Sequence, residues 1–458
     1  MTQKQPKKIK KSIVRNAVSL FSNCGAGDVG YKLAGFDFKV MAELDERRLE
    51  VCGLNHPDAH LVKGDLNTTW RDVVKTYKDN FGDELDLLCA CPPCQGFSSA
   101  RGDRGKSNNP DHGMRDTRNL LSLIIAEVAK ELRPKLIVVE NVPAFLGRLV
   151  RDPKTKTPIT MAELLTTSLA SSYKPYYLLI DLCEYGVPQT RKRVFFTFIR
   201  KDIKFLNILD EKKLIPFPKP THSIGSKKRP ITIGEAFKSF NLPVLDAKSL
   251  ETAKSDYANG LHFVPVWDSK RYEMVAEIPK NNGSSAWQNL TCLNCGETDI
   301  VLSRANCPSC NRPLPRPVIK SRNGRYRLIK GFKTSSYRRM NLNLPAATIT
   351  TASGHVGSHF TIHPNQNRVL SPLECAYLQT FPKEFKWGDA LKKWGHSNIR
   401  EMIGEAVPPK FTAMHGKVLY ALLNGITSRN LLSESDSRHI EAKRKLELKI
   451  NNSPLEVI

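Results

Sequence analysis

The sequence predicts an α/β protein, a doubly wound and mostly parallel sheet followed by a second, smaller domain. Three observations lead there. Short apolar runs alternate with amphipathic stretches through about the first 200 residues, as β-α-β units require. A glycine-containing turn, "SNCGAGDVG", follows the first of these runs, where a doubly wound sheet turns into its first helix. Past residue 203 the alternation stops, and Pro, Gly, Lys and two cysteine pairs take over.

Taken in order, "SIVRNAVSLF" is a strand and "AGDVGYKLAGF" the helix after it. "FKVMAELD" is a second strand ending in carboxylates, followed by the helix "ERRLEVCGLN". "AHLVKGDL", "LDLLCACPP" and "PKLIVVENV" supply three more strands, with the amphipathic helix "RNLLSLIIAEVAKEL" between the last two. Such near-continuous apolar runs suit strands covered on both faces. "RVFFTFIR" is a further strand, and from "RVLSPLECAYLQTF" to "LLNG" the pattern is helical. The expected organisation is a basic leader (1–16), a sheet domain (17–203), an inserted domain (204–365), a helical part returning to the sheet (366–427) and a polar tail (428–458).

The chain of 458 residues carries 70 Lys+Arg against 45 Asp+Glu, a formal net charge of +25. Enzymes of small metabolites rarely need that balance, whereas a protein that binds a polyanion does. No apolar run approaches the roughly 20 residues of a membrane span. The N-terminus is basic but has no apolar signal region. Eleven cysteines without an export signal point to a reducing cytoplasm, where thiols serve catalysis, metal binding or packing.

The run "LLCACPPCQGFSS" places Cys89, Cys91 and Cys94 within six residues. Cys91 and Cys94 form a C-x-x-C, a spacing shared by zinc sites and redox pairs. Here both middle residues are proline, which stiffens the turn and removes two N–H donors that a redox thiolate would use. Cys94 therefore stands at the tip of a rigid corner after a strand, where open α/β sheets keep their reacting groups. At the other strand ends, Glu43 lies 18 residues past Gly25, close to the offset of about 20 at which a carboxylate meets ribose hydroxyls. Asp65 of "KGDL" closes the third strand, where it is expected to meet an adenine amino group. An ordinary α/β domain with acidic loops remains open on these residues alone.

In the inserted domain, Cys292, Cys295, Cys307 and Cys310 stand as C-x2-C, eleven residues, C-x2-C. Each pair can hold one edge of a tetrahedron, so a closed structural zinc site is expected. The stretch "RPVIKSRNGRYRLIKGFKTSSYRRM" after it has nine Lys/Arg and no Asp or Glu. A solvated face would interleave carboxylates, so phosphate and base contacts are expected from Arg322, Arg325, Arg327, Lys330, Lys333, Arg338 and Arg339.

"SLFSNCGAGD", "AELD", "GDL", "PPCQGFS", "ENV", "QTRKR", "RVLSPLECAYLQTFP" and "IGEAVPP", in this order, resemble the motif series of the cytosine-5 DNA methyltransferases of bacterial restriction–modification systems. The resemblance runs from about residue 18 to 415 and departs at Asn23 and Ala26, where glycines are usual, and at Glu405, where the "IGNxVPP" pattern has asparagine. It implies an S-adenosylmethionine-dependent methyltransferase fold, with S-adenosylmethionine as methyl donor and cytosine in duplex DNA as acceptor. The inserted domain, with the zinc ribbon expected from its cysteines, is then the target-recognition domain. The chain is expected to act as a monomer near the nucleoid, paired in function with a restriction endonuclease.

The resemblance implies roles residue by residue. Cys94 is the nucleophile that adds to cytosine carbon 6 and so activates carbon 5. Glu140 holds or donates a proton at ring nitrogen 3, a task suited to a carboxylic acid raised in pKa by a closed pocket. Asn141 orders the backbone beside it, Arg193 binds the ring oxygen and Arg191 steadies the nucleophile loop. Phe21, Cys24, Gly25, Glu43, Leu44, Asp65, Leu66, Pro92, Leu121, Glu405 and Ala406 contact the cofactor. Gln95, Ser98 and Thr348 reach the DNA, and the glycine-rich loop after Cys94 is a lid that closes over an extruded base. The thiols of Cys24, Cys52, Cys89, Cys91, Cys183 and Cys375 are expected to pack. An RNA cytosine methyltransferase and a catalytically idle DNA-binding protein of the same fold are the alternatives.

Overall fold

A computed structural model describes residues 13–93, 120–223, 228–257, 260–331, 335–427 and 429–450, the side chains of 447–450 excepted. Cys94, Gln95, Ser98, Lys333 and the expected lid lie outside the described residues. The strands are β1 (Arg15–Leu20), β2 (Phe36–Glu43), β3 (His60–Lys63), β4 (Leu87–Ala90), β5 (Leu136–Asn141), a hairpin of β6 (Leu149–Arg151) and β7 (Pro158–Thr160), then β8 (Tyr173–Asp181) and β9 (Lys192–Arg200). Seven of them form one sheet in the order β3-β2-β1-β4-β5-β9-β8. The pairings from β3 across to β5 are parallel, whereas β9 runs antiparallel to both β5 and β8.

That reversed strand positions the site. The first residues of β9 lie at the same sheet edge as the last residues of β5, with Asn141 opposite Val194. The strand order turns back between β1 and β4, which opens a crevice at their carboxyl ends. Both faces are covered. Val18, Leu88, Val139 and Phe196 face one buried cluster, while Ala17, Leu87, Val138 and Phe195 face the other. β8 and the helix Met161–Leu169 add to the elements anticipated from the sequence.

Helix α1 (Ala26–Leu33) packs on the returning helix Pro409–Leu423. The approach is close enough that a Cβ at Gly30 would overlap Thr412 Oγ1 and the Pro409 carbonyl. Two boundaries differ from expectation. Phe205, Leu206, Leu209, Ile215 and Phe217 are buried in the same cluster as Phe195, so the sheet domain runs past residue 203. The tail is not merely polar: β10 (Leu214–Pro218) pairs with Leu431–Ser433, and helix Ser437–Ile450 lies on β8. Ala442 and Leu446, one turn apart, carry that contact into the core, and Arg438 bonds Glu184 at 2.8 Å. A stripe of two apolar residues in "SRHIEAKRKLELKI" is too narrow to read from composition.

Under the sheet, His415 is fully buried. Its Nε2–H donates to the Pro216 carbonyl at 3.1 Å, which leaves Nδ1 to accept from the Tyr31 hydroxyl at 3.0 Å. Burial pushes its pKa down to about 3. A histidine held neutral in the fold and free to charge when unfolded adds stability above its unfolded pKa of about 6.5, lost as pH falls toward the folded value. Between pH 7.5 and 5.5 the wild type should lose about 1.4 kcal/mol more than His415→Gln, measured by urea unfolding. Equal losses would contradict this reading. No helix of the described residues is long and apolar enough to cross a membrane.

Candidate active site

The crevice is a cleft of about 1640 Å³. The sheet edge forms its floor, and residues 348–351, 357–359 and 404–407 face it. Glu140, last but one in β5, is buried, and each carboxylate oxygen has a partner. Arg193 Nε lies 2.7 Å from Oε1, and the Cys91 thiol donates to Oε2 at 2.8 Å. Antiparallel pairing of β9 with β5 brings the arginine to the carboxylate. Asn141 donates from Nδ2 to the Pro92 carbonyl at 3.2 Å and accepts from Val142 N–H at 2.9 Å, so it does order the corner before Cys94. Cys91 is half-buried and lines the cleft, which corrects its assignment as a packing thiol. The proline corner turns it inward, a consequence of backbone direction that spacing does not reveal.

Arg191 is buried and works mostly on backbone. Its guanidinium donates to the carbonyls of Ile349 at 3.0 Å, Gly404 at 2.8 Å and Ala406 at 3.1 Å. It thereby sutures both facing segments to the edge of β9. Gln189 does similar work unforeseen from the sequence. Its Nε2 donates to Gln379 at 2.7 Å, and its Oε1 accepts from Ile349 N–H at 3.0 Å. The only signal for it was its place in "QTRKR".

At the other end of the cleft, the turn after β1 holds Phe21, Asn23 and Gly25 at positive φ. Asparagine is among the residues that tolerate this region, which is how Asn23 stands where glycine is usual. Its N–H donates to Glu43 at 2.8 Å, and its side-chain amide donates to the Met402 carbonyl at 3.0 Å. Ala26 is the first residue of α1 and needs no positive φ. Glu43 also accepts from Asp45 N–H at 3.1 Å. Burial raises its pKa against the pull of these bonds and of Arg48. Leu44 beside it is 65% exposed.

Phe21, Glu43, Leu44, Asp65, Leu66, Pro92, Leu121, Glu405 and Ala406 line the cleft, whereas Cys24 and Gly25 do not. The Cys24 thiol is buried in a core cluster, with its pKa pushed up to about 12 by burial. Gly25 is needed for the turn, since φ is 73° and a Cβ would meet the His56 ring at 2.7 Å. Asp65 caps the next helix, accepting from Asn67 N–H at 2.9 Å. Asp28, not singled out from the sequence, also lines the cleft. It accepts from Ser19 Oγ at 2.9 Å, and burial raises its pKa to about 7.

The C-5 cytosine-specific DNA methylase family model matches residues 15–420. The chain belongs to that family of DNA cytosine methyltransferases. The methylase is 27% identical over 410 residues to the Type II methyltransferase M1.HgaI of Avibacterium volantium, covering 88% of this chain and 96% of that one. It is 26% identical to the Type II methyltransferase M.DdeI of Desulfomicrobium norvegicum over 86% of both chains. Among solved structures, a DNA modification methyltransferase encoded within an Escherichia coli prophage shares its fold. The TM-score is 0.53 at 23% identity, over 90% of this chain and 99% of that one.

On the far side of the methylase's cleft, Thr348 lines the opening and donates to the Thr190 carbonyl at 2.6 Å. Arg322, Arg325, Arg327 and Lys330 are exposed on or beside the hairpin of β11 (Val318–Lys320) and β12 (Tyr326–Leu328). Arg339 is different, and the expectation that it meets DNA is corrected. It is fully buried and gives five hydrogen bonds, to the carbonyls of Val275, Ile278, His363 and Gln366 and to Asn367 Oδ1. Arg338 is half-buried, bonded to the Gly283 carbonyl at 2.8 Å and stacked over Phe360. The four thiols of Cys292, Cys295, Cys307 and Cys310 converge, with all sulfurs within 4.8 Å of one another.

Proposed function

We propose that this methylase transfers a methyl group from S-adenosylmethionine to carbon 5 of a cytosine flipped out of a specific duplex site, through a transient Cys94 thioether. The observation that carries the reading is the Glu140–Arg193 pair at the cleft wall, two residues of β5 and β9 held beside the corner that leads into Cys94. In the proposed role, the Cys94 thiolate adds to ring carbon 6, and Glu140 manages a proton at ring nitrogen 3 while accepting from the exocyclic amine. Arg193 keeps that carboxylate in place and neutralises charge developing on the ring. After transfer the carbon 5 proton is lost to a base and the thiolate is expelled.

The cleft's other end fits the donor. Glu43 keeps lone pairs for ribose hydroxyls beyond its two backbone bonds, and the exposed Leu44 offers an apolar face for the purine. When bound, S-adenosylmethionine supplies a methyl carbon made electrophilic by its sulfonium. The four cysteines suit one structural zinc. Cys292–Cys310 and Cys295–Cys307 are 3.6 and 3.5 Å apart, near the edge of roughly 3.7 Å that a tetrahedron of 2.3 Å Zn–S bonds requires. The exposed arginines of the hairpin suit phosphates and guanine edges. Protection of host DNA in a restriction–modification system is the context that the Type II relatives support.

DNA replicated with 5-fluorocytosine presents every potential site with a carbon 5 that cannot lose its substituent. The purified chain with labelled S-adenosylmethionine should form a denaturant-resistant adduct on it, and none on tRNA. Methylation of tRNA alone would move the substrate to RNA. Absence of both adduct and methylation would leave only a DNA binder.

A further inference from the structure

Helix α2 (Glu46–Asn55) begins three residues after Glu43 and is clamped along helix Ala390–Glu405. Arg47 bonds Asn398 at 2.5 Å, Glu50 pairs with Lys393 at 2.5 Å, and Arg48 pairs with Glu405 at 2.5 Å. Arg48, Glu43, Glu401 and Glu405 all line the cofactor end of the cleft. Apart from Glu405, Arg48 has two carboxylates at 3.9 Å, Asp45 and Glu401. Asp45 is already committed to capping α2 and to Arg47. Glu401 is largely solvated, with its side chain 44% exposed, so water screens it. Glu43 is buried and within reach of the Arg48 charge.

We propose that Glu405 is a positioning residue for the cofactor. By holding the Arg48 guanidinium at the cleft wall it keeps that cation off Glu43, whose lone pairs stay available for ribose hydroxyls. The inference rests on the S-adenosylmethionine reading above and deepens it. Asparagine, usual at this place in the "IGNxVPP" pattern, has no charge with which to hold the arginine. In a chain carrying Arg48 it would leave Glu43 as the buried anion to which the guanidinium turns. Conversely, removing Arg48 alone would leave Glu43 and Glu405 as unpaired carboxylates on one wall. Only the pair is neutral toward the ligand.

The test is binding of S-adenosylhomocysteine to the full chain by titration calorimetry, with thermal melting as a control. Glu405→Asn and Arg48→Met should each weaken binding by about five- to thirtyfold, the size of coupling expected for one close ion pair. The double variant should return to within about threefold of wild type. In turnover, Glu405→Asn should raise the KM for the donor while kcat at saturation holds. Should Glu405→Asn melt early, the isosteric Glu405→Gln carries the same expectation. Wild-type binding by Glu405→Asn, or a double variant as weak as its singles combined, would overturn the clasp. A wild-type chain that binds no S-adenosylhomocysteine would instead overturn the cofactor reading itself.

Discussion

Methyl transfer by Cys94→Ser is expected to fall by at least roughly four orders of magnitude, the scale seen when a covalent nucleophile is lost, while DNA binding survives. A serine hydroxyl has far too high a pKa to supply an anion at neutral pH, whereas a thiol is partly ionised there and leaves again readily. The structure sharpens the experiment, because a second thiol, Cys91, reaches the cleft and donates to Glu140. If Cys91 only steadies that carboxylate, Cys91→Ala should cost about tenfold, the worth of one hydrogen bond. It should leave the 5-fluorocytosine adduct intact. Labelled methyl incorporation and adduct formation, measured on both variants, separate the two sulfurs. An active Cys94→Ser protein beside a dead Cys91→Ala protein would transfer the nucleophile's role to Cys91 and overturn the assignment.

The second large effect is expected from the cysteine quartet. The purified chain should carry one zinc, and Cys307→Ser or strong chelation should remove it and melt the surrounding module. The apolar core there consists of little more than Cys292, Ile300, Cys307 and Leu314, far too small to fold unaided. Structural zinc contributes on the order of 10 kcal/mol to such modules. Arg316, buried under it, donates to the carbonyls of Asn289, Ile300, Val301 and Arg304. That scaffold loses its geometry if the loops spread. Site selectivity should then disappear while salt-sensitive, non-specific DNA binding by the exposed basic residues persists. Metal analysis with methylation mapping checks this. A zinc-free protein that still methylates a single site would refute it.

The placement of Glu140, Arg193 and Glu43 at the cleft and the convergence of the four cysteines were legible from the sequence because they follow from strand ends and fixed spacings. A carboxylate that closes a strand must appear at the sheet edge, and two C-x2-C pairs present paired sulfurs wherever they fold. Asn141 was legible for the same reason. Cys91 was not, since a proline corner aims its neighbours by backbone angles that no spacing encodes. Cys24 and Gly25 belonged to a turn that was correctly located, yet which of its atoms face the ligand depends on left-handed φ values at Phe21, Asn23 and Gly25.

The succession of strands through β5, the carboxylates at their ends and the convergence of the cysteine pairs were thus written in residue type and interval, which act over a few neighbours. Arg327 and Arg339 show where that reach stops. Both sit in one stretch of basic sequence free of acids, but the first is exposed on a hairpin and the second is enclosed by five oxygens from remote segments. The fate of such a side chain is set by which carbonyls converge on it, a property of packing between segments distant in the chain. The same holds for the final helix, whose buried Ala442 and Leu446 matter only because β8 lies beneath them.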